Sequence, residues 1–334
     1  MDRPPIKLLA CEGARDLATA VAGHLGTSLT PSKDVWFACG EGKHVIDDNI
    51  RGADVYVFQR AALGLGAPDD HSPYDRLVML LHAVDAARHA DAERVTIVMP
   101  YLLGSRQDKR KGRTREGVST GLFARMLREA GASMVISVEP HNEAISGAYA
   151  PALCVFEPVF IAHAFGDWMQ QRGLAGELFA STDVGGLQLA RRFSKHLHRG
   201  IVALSKERDY SQPNTVDHTT VIGEVRDRTV TIVDDIVDTA GSAVAAAEAL
   251  WECGARDIVI AGIHPIHSAP AWDRLDGLAE RARKRGFRFA VVGTSSVVHE
   301  GAPDWYQSFP IEAVLAEVVH SVNARGSVRG VTEG

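Results

Sequence analysis

Cysteine is scarce in this chain. The four residues, Cys11, Cys39, Cys154 and Cys253, are widely separated, with no CxxC pair and no zinc spacing. That argues against a disulfide framework and reads as reduced thiols of a cytoplasmic protein. Long apolar runs are also missing: no uninterrupted stretch approaches about 18 residues, so no membrane span is expected. Nothing behind the opening Met1-Asp2-Arg3-Pro4-Pro5 has the apolar core of a signal peptide. Positive charge is not in excess. Lys and Arg number 36 against 42 Asp and Glu, a formal net charge of -6. This weighs against a nonspecific nucleic-acid binder, and no nucleic-acid partner is expected. There is no low-complexity tract, and 46% apolar with 23% charged residues excludes wholesale disorder. The 334 residues have room for about two domains, each able to bury a core without staples.

What is present is a repeated rhythm of short apolar run, loop and helical stretch. Val55–Phe58, 95–99 and 134–138 read as buried strands, separated by helical spacing over 74–90 (Leu77, Leu80, Leu81 and Val84 on one face) and over 117–130. The second half repeats the pattern. Strands are expected at 200–204, 229–233, 257–261 and 289–292, with a helix at 241–253 and a terminal helix at 311–322. Alternating strands and helices predict α/β architecture, with mainly parallel sheets flanked by helices. The halves read as diverged copies. The expected organisation is a domain over 1–155, a second over 156–310, and a terminal helix and tail over 311–334.

The sharpest signal is Val233-Asp234-Asp235-Ile236-Val237-Asp238-Thr239-Ala240-Gly241-Ser242. A buried strand runs into two aspartates, and a helix starts just after Thr239-Ala240-Gly241-Ser242. The small residues let backbone N–H groups approach an anion, and a helix start adds unpaired donors and a positive dipole end. It is a phosphate cradle without the lysine of a P-loop. Asp234 and Asp235 suit sugar hydroxyls or a hydrated Mg²⁺.

This string resembles the phosphoribosyl-pyrophosphate loop of type I phosphoribosyltransferase folds. Further landmarks in order are Phe37-Ala38-Cys39-Gly40-Glu41, Asn49-Ile50-Arg51-Gly52-Ala53-Asp54, Arg106-Gln107-Asp108, Pro140-His141, Asp183-Val184-Gly185-Gly186, Lys206-Glu207-Arg208 and His264-Pro265. Together they resemble the ribose-phosphate diphosphokinase family, also called phosphoribosyl-pyrophosphate synthetase, over nearly the whole chain. The resemblance implies two similar phosphoribosyltransferase-like domains. It implies Mg²⁺-dependent transfer of the β,γ-diphosphoryl group of ATP to the anomeric hydroxyl of ribose 5-phosphate, giving the diphosphate and AMP. It also implies a homo-oligomer, a dimer or hexamer.

Diphosphoryl transfer is mainly positioning and charge neutralisation. The resemblance places the catalytic cations on Lys206 and Arg208, at the start of a polar stretch over 205–219 that reads as a long mobile loop. It places ATP on Phe37, Glu41, Arg106, Gln107 and His141. Ribose phosphate falls to Asp183, Asp234, Asp235, Asp238, Thr239, Ala240, Gly241 and Ser242, and the metal to His141 and Asp183. Arg106 and Gln107 open a stretch over 106–115 in which six of ten residues are cationic, and a local polyphosphate site suits it as well as a solvated loop. The chain departs from the family at Cys39 (usually Asp), Glu139 (commonly Asp), Glu207 (often basic), Ala240 (often Gly), Met79 (often Glu) and Gly293 (usually acidic). The connection over 60–73 is longer than usual. These departures point to a diverged member. A catalytically silent regulatory partner, a diphosphokinase of altered nucleotide or sugar-phosphate specificity, and a phosphoribosyltransferase remain as alternatives.

Overall fold

The computed structural model describes residues 3–67, 71–110, 112–207 and 218–332. Of the expected features, Asp69-Asp70, Lys111 and Arg208 lie outside the described residues, and Lys206 and Glu207 are described in the backbone alone.

The chain divides into two compact units. The first comprises Met1–Leu63, Ala67–Phe160 and Pro310–Gly334, the second Gly64–Gly66 and Ile161–Phe309. In the first unit the elements run β1 (Ile6–Ala10), α1 (Arg15–His24), β2 (Ser32–Trp36), β3 (Gly42–Ile46), β4 (Asp54–Phe58), α2 (Pro73–His89), β5 (Arg94–Val98), α3 (Ser119–Glu129), β6 (Met134–Val138) and β7 (Val155–Val159). Five of these strands form a parallel sheet in the order β1-β4-β5-β6-β7, while β2 and β3 pair as a separate antiparallel hairpin. The leucine and valine face of α2 packs on this sheet: Leu77, Leu80 and Val84 are buried with Val55, Val57, Val95 and Ile97. The helix starts where it does because Ser72 and Asp75 form a capping box and Pro73 occupies the first turn.

The second unit continues with α4 (Ala162–Gln171), β8 (Leu178–Ser181), α5 (Leu187–His196), β9 (Gly200–Glu207), β10 (His218–Ile222), β11 (Thr229–Val237), α6 (Gly241–Glu252), β12 (Asp257–Pro265), α7 (Ala271–Arg285), β13 (Phe289–Thr294) and β14 (Tyr306–Phe309). Its sheet has seven strands in the order β10-β9-β8-β11-β12-β13-β14, parallel except for β10 against β9. The two units share a plan. In each, a first strand is followed by an antiparallel pair and then by four more parallel strands in chain order. The pair stands apart as β2–β3 in the first unit and joins the sheet edge as β9–β10 in the second.

Three expectations change. The terminal helix, α8 (Glu312–Asn323), belongs to the first unit rather than forming an appendage. It is tied there by a buried acid: Asp54, fully buried, accepts from Arg94 Nε at 2.7 Å, from Tyr56 Oη at 2.9 Å and from Asn323 Nδ2 at 2.9 Å. The strand expected over 229–233 runs on to Val237, because Ile236 and Val237 pair with His264 and Pro265. Asp234 and Asp235 therefore sit on the strand, not in the loop after it. The stretch over 205–219 is not all loop: Ser205 and Lys206 pair with Thr220 and Thr219 in the β9–β10 ladder.

Candidate active site

In the second unit the strand ends gather a polar cluster. Parallel sheets present ligand sites at their carboxyl ends, and there β8 and β11 place Thr182, Asp183, Asp234 and Asp235. Thr182 Oγ1 donates to Asp234 Oδ2 at 2.8 Å. Asp183 Oδ1 accepts from Gly186 N at 3.0 Å, and its carbonyl accepts from Ser181 Oγ, which folds the 181–186 turn. Asp234 keeps some surface open to solvent, yet protein surrounds it closely. Burial, then the charge of Asp235, pushes its carboxyl up to about 8; the hydrogen bond shared with Asp235 and the nearby Asp183 add to this, while Thr182 opposes it. At neutral pH the Asp234–Asp235 pair therefore holds a proton. A pair of this kind is stabilised by hydroxyl donors or by a cation.

The cradle follows at once. Ala240 is the N-cap of α6 and lies in the left-handed region, φ 58° and ψ 5°. The turn needs a positive φ, which glycine takes freely and which alanine adopts at a cost of about 1–2 kcal/mol. Ala240 O accepts from Val244 N at 2.9 Å, so the first N–H groups of the helix have no carbonyl upstream within it. Thr239 and Ser242 are exposed at this end, with Asp238 and Gly241 half-buried. Arg274 Nη1, from α7, donates to Thr239 O at 2.8 Å and holds the turn. A Cβ on Gly241 would stand 3.3 Å from the same nitrogen, so the small residue keeps this approach open. Sequence reasoning missed Arg274 and Thr182. Thr182 was findable as a hydroxyl at a strand end before Asp183; Arg274, 35 residues from Thr239, gives no local signal.

In the first unit three other expected features appear. Phe37 and Glu41 lie on the tip of the β2–β3 hairpin, closed by Phe37 N to Glu41 O at 2.8 Å and by Gly40 at φ 90°. Phe37 is 47% exposed, with Lys43 Nζ 5.7 Å from its ring centre. Arg106 and Gln107 are exposed in a turn fixed by Gln107 N to Gly104 O at 3.0 Å and by Ser119 Oγ donating to Gln107 Oε1. His141, exposed, follows β6 and the buried Glu139. Asn142 Nδ2 donates to Asp108 Oδ2 at 2.8 Å, which joins the His141 loop to the Arg106 turn. Arg106, Gln107 and His141 thus come together in one unit. The structure assigns His141 and Asp183 to different units, and Lys206 stands on β9 opposite Thr219.

The geometry defines a class first. Residues 177–291 match the phosphoribosyl transferase domain, and residues 6–131 match the N-terminal domain of ribose phosphate pyrophosphokinase. The chain is 34% identical to the ribose-phosphate pyrophosphokinase of Chlorobaculum tepidum over 81% of its length and 80% of that protein. It is 30% identical to ribose-phosphate pyrophosphokinase 1 of Streptococcus pneumoniae, with 96% and 94% covered. The crystal structure of phosphoribosylpyrophosphate synthetase from Mycobacterium smegmatis superposes with a TM-score of 0.82 at 27% identity, covering 96% of this chain and 100% of that one. The protein belongs to the ribose-phosphate pyrophosphokinase family of enzymes. Among the described residues no helix is long and apolar enough to cross a membrane.

Proposed function

We propose that the protein makes phosphoribosyl pyrophosphate by transferring the β,γ-diphosphoryl group of ATP to the anomeric hydroxyl of ribose 5-phosphate. The observation that carries this reading is the succession at one strand end of an acid pair, Asp234–Asp235, and a helix-start cradle over 238–242. The spacing suits a phosphorylated sugar: the 5-phosphate takes the N–H groups and hydroxyls of Thr239–Ser242, and the ring hydroxyls donate to the two aspartates. On this reading the sugar is held by both ends, and its anomeric oxygen attacks the β-phosphorus. The O1–Pβ bond forms, the hydroxyl proton leaves, and the bond from Pβ to the oxygen bridging to Pα breaks to release AMP.

The nucleotide side falls to Phe37 against the base, with Glu41, Arg106, Gln107 and His141 on the remainder of ATP. Lys206 and Arg208 neutralise charge on the migrating phosphoryls. Asp183, with the carboxylates of Asp234 and Asp235 near it, forms an oxygen-donor set of the kind a hard divalent cation takes, and the burial and then the carboxylate repulsion that raise Asp234 fit such an ion. Asp183 is the residue of the second unit that would hold Mg²⁺, and His141 is the metal-binding candidate of the first. The ion, when bound, supplies charge neutralisation on the polyphosphate. The exposed Phe37 tip supports a homo-oligomer, a dimer or hexamer, in which this tip serves a neighbouring copy.

The test is product analysis. Protein incubated with ATP, Mg²⁺ and ribose 5-phosphate is expected to give AMP and a pentose diphosphate by mass, with kcat falling about a hundredfold or more in Lys206→Ala. Bound nucleotide without AMP from any nucleoside triphosphate would sink the reading; pyrophosphate release without AMP would point to a phosphoribosyltransferase instead.

A further inference from the structure

Cys11, Asp34 and His44 come from three elements of the first unit and share no motif spacing. The turn after β1 carries Cys11, β2 carries Asp34, and β3 carries His44 directly opposite Asp34 in the hairpin register. One donor atom from each residue lies within 4.8 Å of the other two. His44 Nδ1 and Asp34 Oδ1 are 2.7 Å apart, while Asp34 Oδ2 accepts from Glu12 N at 2.8 Å. The His44 side chain is fully buried, and its Nε2 has no hydrogen-bond partner. Cys11 is fully buried as well. Nδ1 faces the Asp34 carboxylate and is the His44 nitrogen that belongs to the group.

We propose that Cys11, Asp34 and His44 bind one Zn²⁺, which clamps the β2–β3 hairpin to the edge of the first sheet. The donor set is chemically selective. Thiolate, imidazole and carboxylate are zinc ligands, whereas Mg²⁺ takes oxygen donors and would not compete. The charges also balance, since one thiolate and one carboxylate offset the two positive charges in a buried place. Three protein ligands leave a fourth position for water. Tetrahedral zinc wants its donors about 3.3–3.6 Å apart. Cys11 therefore closes in, and the Asp34–His44 hydrogen bond gives way to coordination. Asp34 remains held by Glu12 N. The clamp acts on the hairpin that carries Phe37, Cys39 and Glu41, so zinc content is coupled to the order of that tip.

The experiment uses full-length protein on a Cys39→Ser/Cys253→Ser background, which removes the exposed thiols from competition. Chelator-treated protein is reloaded with Zn²⁺ and dialysed, and zinc is counted by mass spectrometry. Parallel samples take Co²⁺. The expected result is one metal per chain and a thiolate-to-cobalt charge-transfer band that excess Mg²⁺ leaves unchanged. Cys11→Ser and His44→Ala are expected to lose both, and Asp34→Asn to weaken affinity about tenfold or more. Should the variants fail to fold, the background protein decides alone: absence of the charge-transfer band overturns the proposal. An unchanged band in folded Cys11→Ser overturns it equally. None of these readouts depends on AMP formation, so this inference and the proposed reaction fail separately.

Discussion

Asp234→Asn is expected to stabilise the protein while damaging the proposed sugar site. In the folded chain Asp234 holds a proton up to a pH of about 8, whereas in the unfolded chain its carboxyl has the ordinary value of 3.8. Between these values the unfolded state has released a proton that the folded state keeps. Stability is therefore full below about 3.8 and is lost as pH rises through the window. Each pH unit contributes about 1.4 kcal/mol, so the ceiling at neutral pH is about 4 kcal/mol. Asp234 retains some access to water, which relieves part of this; a gain of about 2 kcal/mol is expected in the asparagine variant. The amide still accepts from Thr182 and can donate to Asp235. Urea denaturation at about pH 7 and about pH 4.5, followed by tryptophan emission, measures it. Trp168, Trp251, Trp272 and Trp305 lie in the second unit and only Trp36 in the first, so the signal reports mainly the right unit. The variant should be more stable at neutral pH and nearly indistinguishable at acid pH. Equal midpoints at both pH values, or a variant weaker at neutral pH, would refute the reasoning. Its KM for ribose 5-phosphate should rise.

Other outcomes follow from the same structure. Arg94→Ala leaves Asp54 buried without its guanidinium and should cost about 3–5 kcal/mol in denaturation, against about 1 kcal/mol for Tyr56→Phe; equal losses would mean the ion pair contributes nothing special. Burial, then the nearby His299, pushes His267 down to about 3, and neither ring nitrogen has a hydrogen-bond partner. An unfolded imidazole takes a proton near 6.5, so stability should fall as pH drops from there toward 3, and His267→Phe should flatten that slope; a His267 proton resonance titrating near the ordinary value would contradict this. Ala240→Gly should be neutral to about 1 kcal/mol stabilising and Ala240→Val destabilising by about 2 kcal/mol, because a branched side chain tolerates φ 58° poorly; a valine variant of unchanged midpoint would remove the case for strain.

The parts of the fold legible from sequence are those where one physical signal dominates. The 3.6-residue spacing of Leu77, Leu80 and Val84 located α2 to within a residue at each end, and the apolar runs at Val55, Val95 and Val135 located three central strands. Most strands not read are edge or hairpin strands; the exception is β8 (Leu178–Ser181), a four-residue interior strand between β9 and β11. Ser32–Trp36 mixes lysine and aspartate with apolar residues, and Tyr306–Phe309 is four residues long with its two middle residues, Gln307 and Ser308, polar and exposed. Such segments are strands because of what they pair with. The site divides the same way. The acid pair and cradle are contiguous, so the string from Val233 to Ser242 announced them. Thr182, Arg274 and the Cys11–Asp34–His44 group depend on chain segments brought together only by the sheets.

The interleaving of the two units has a consequence for how the molecule is made. During synthesis every strand of the second unit's sheet has been produced by Phe309, whereas the first unit must wait for residues 312–323 before Asn323 reaches Asp54. The half translated earliest is thus the half completed last. In the interval its carboxylate at Asp54 has an arginine and a tyrosine but not the amide, and the face of the first sheet that α8 will cover stands open on the ribosome.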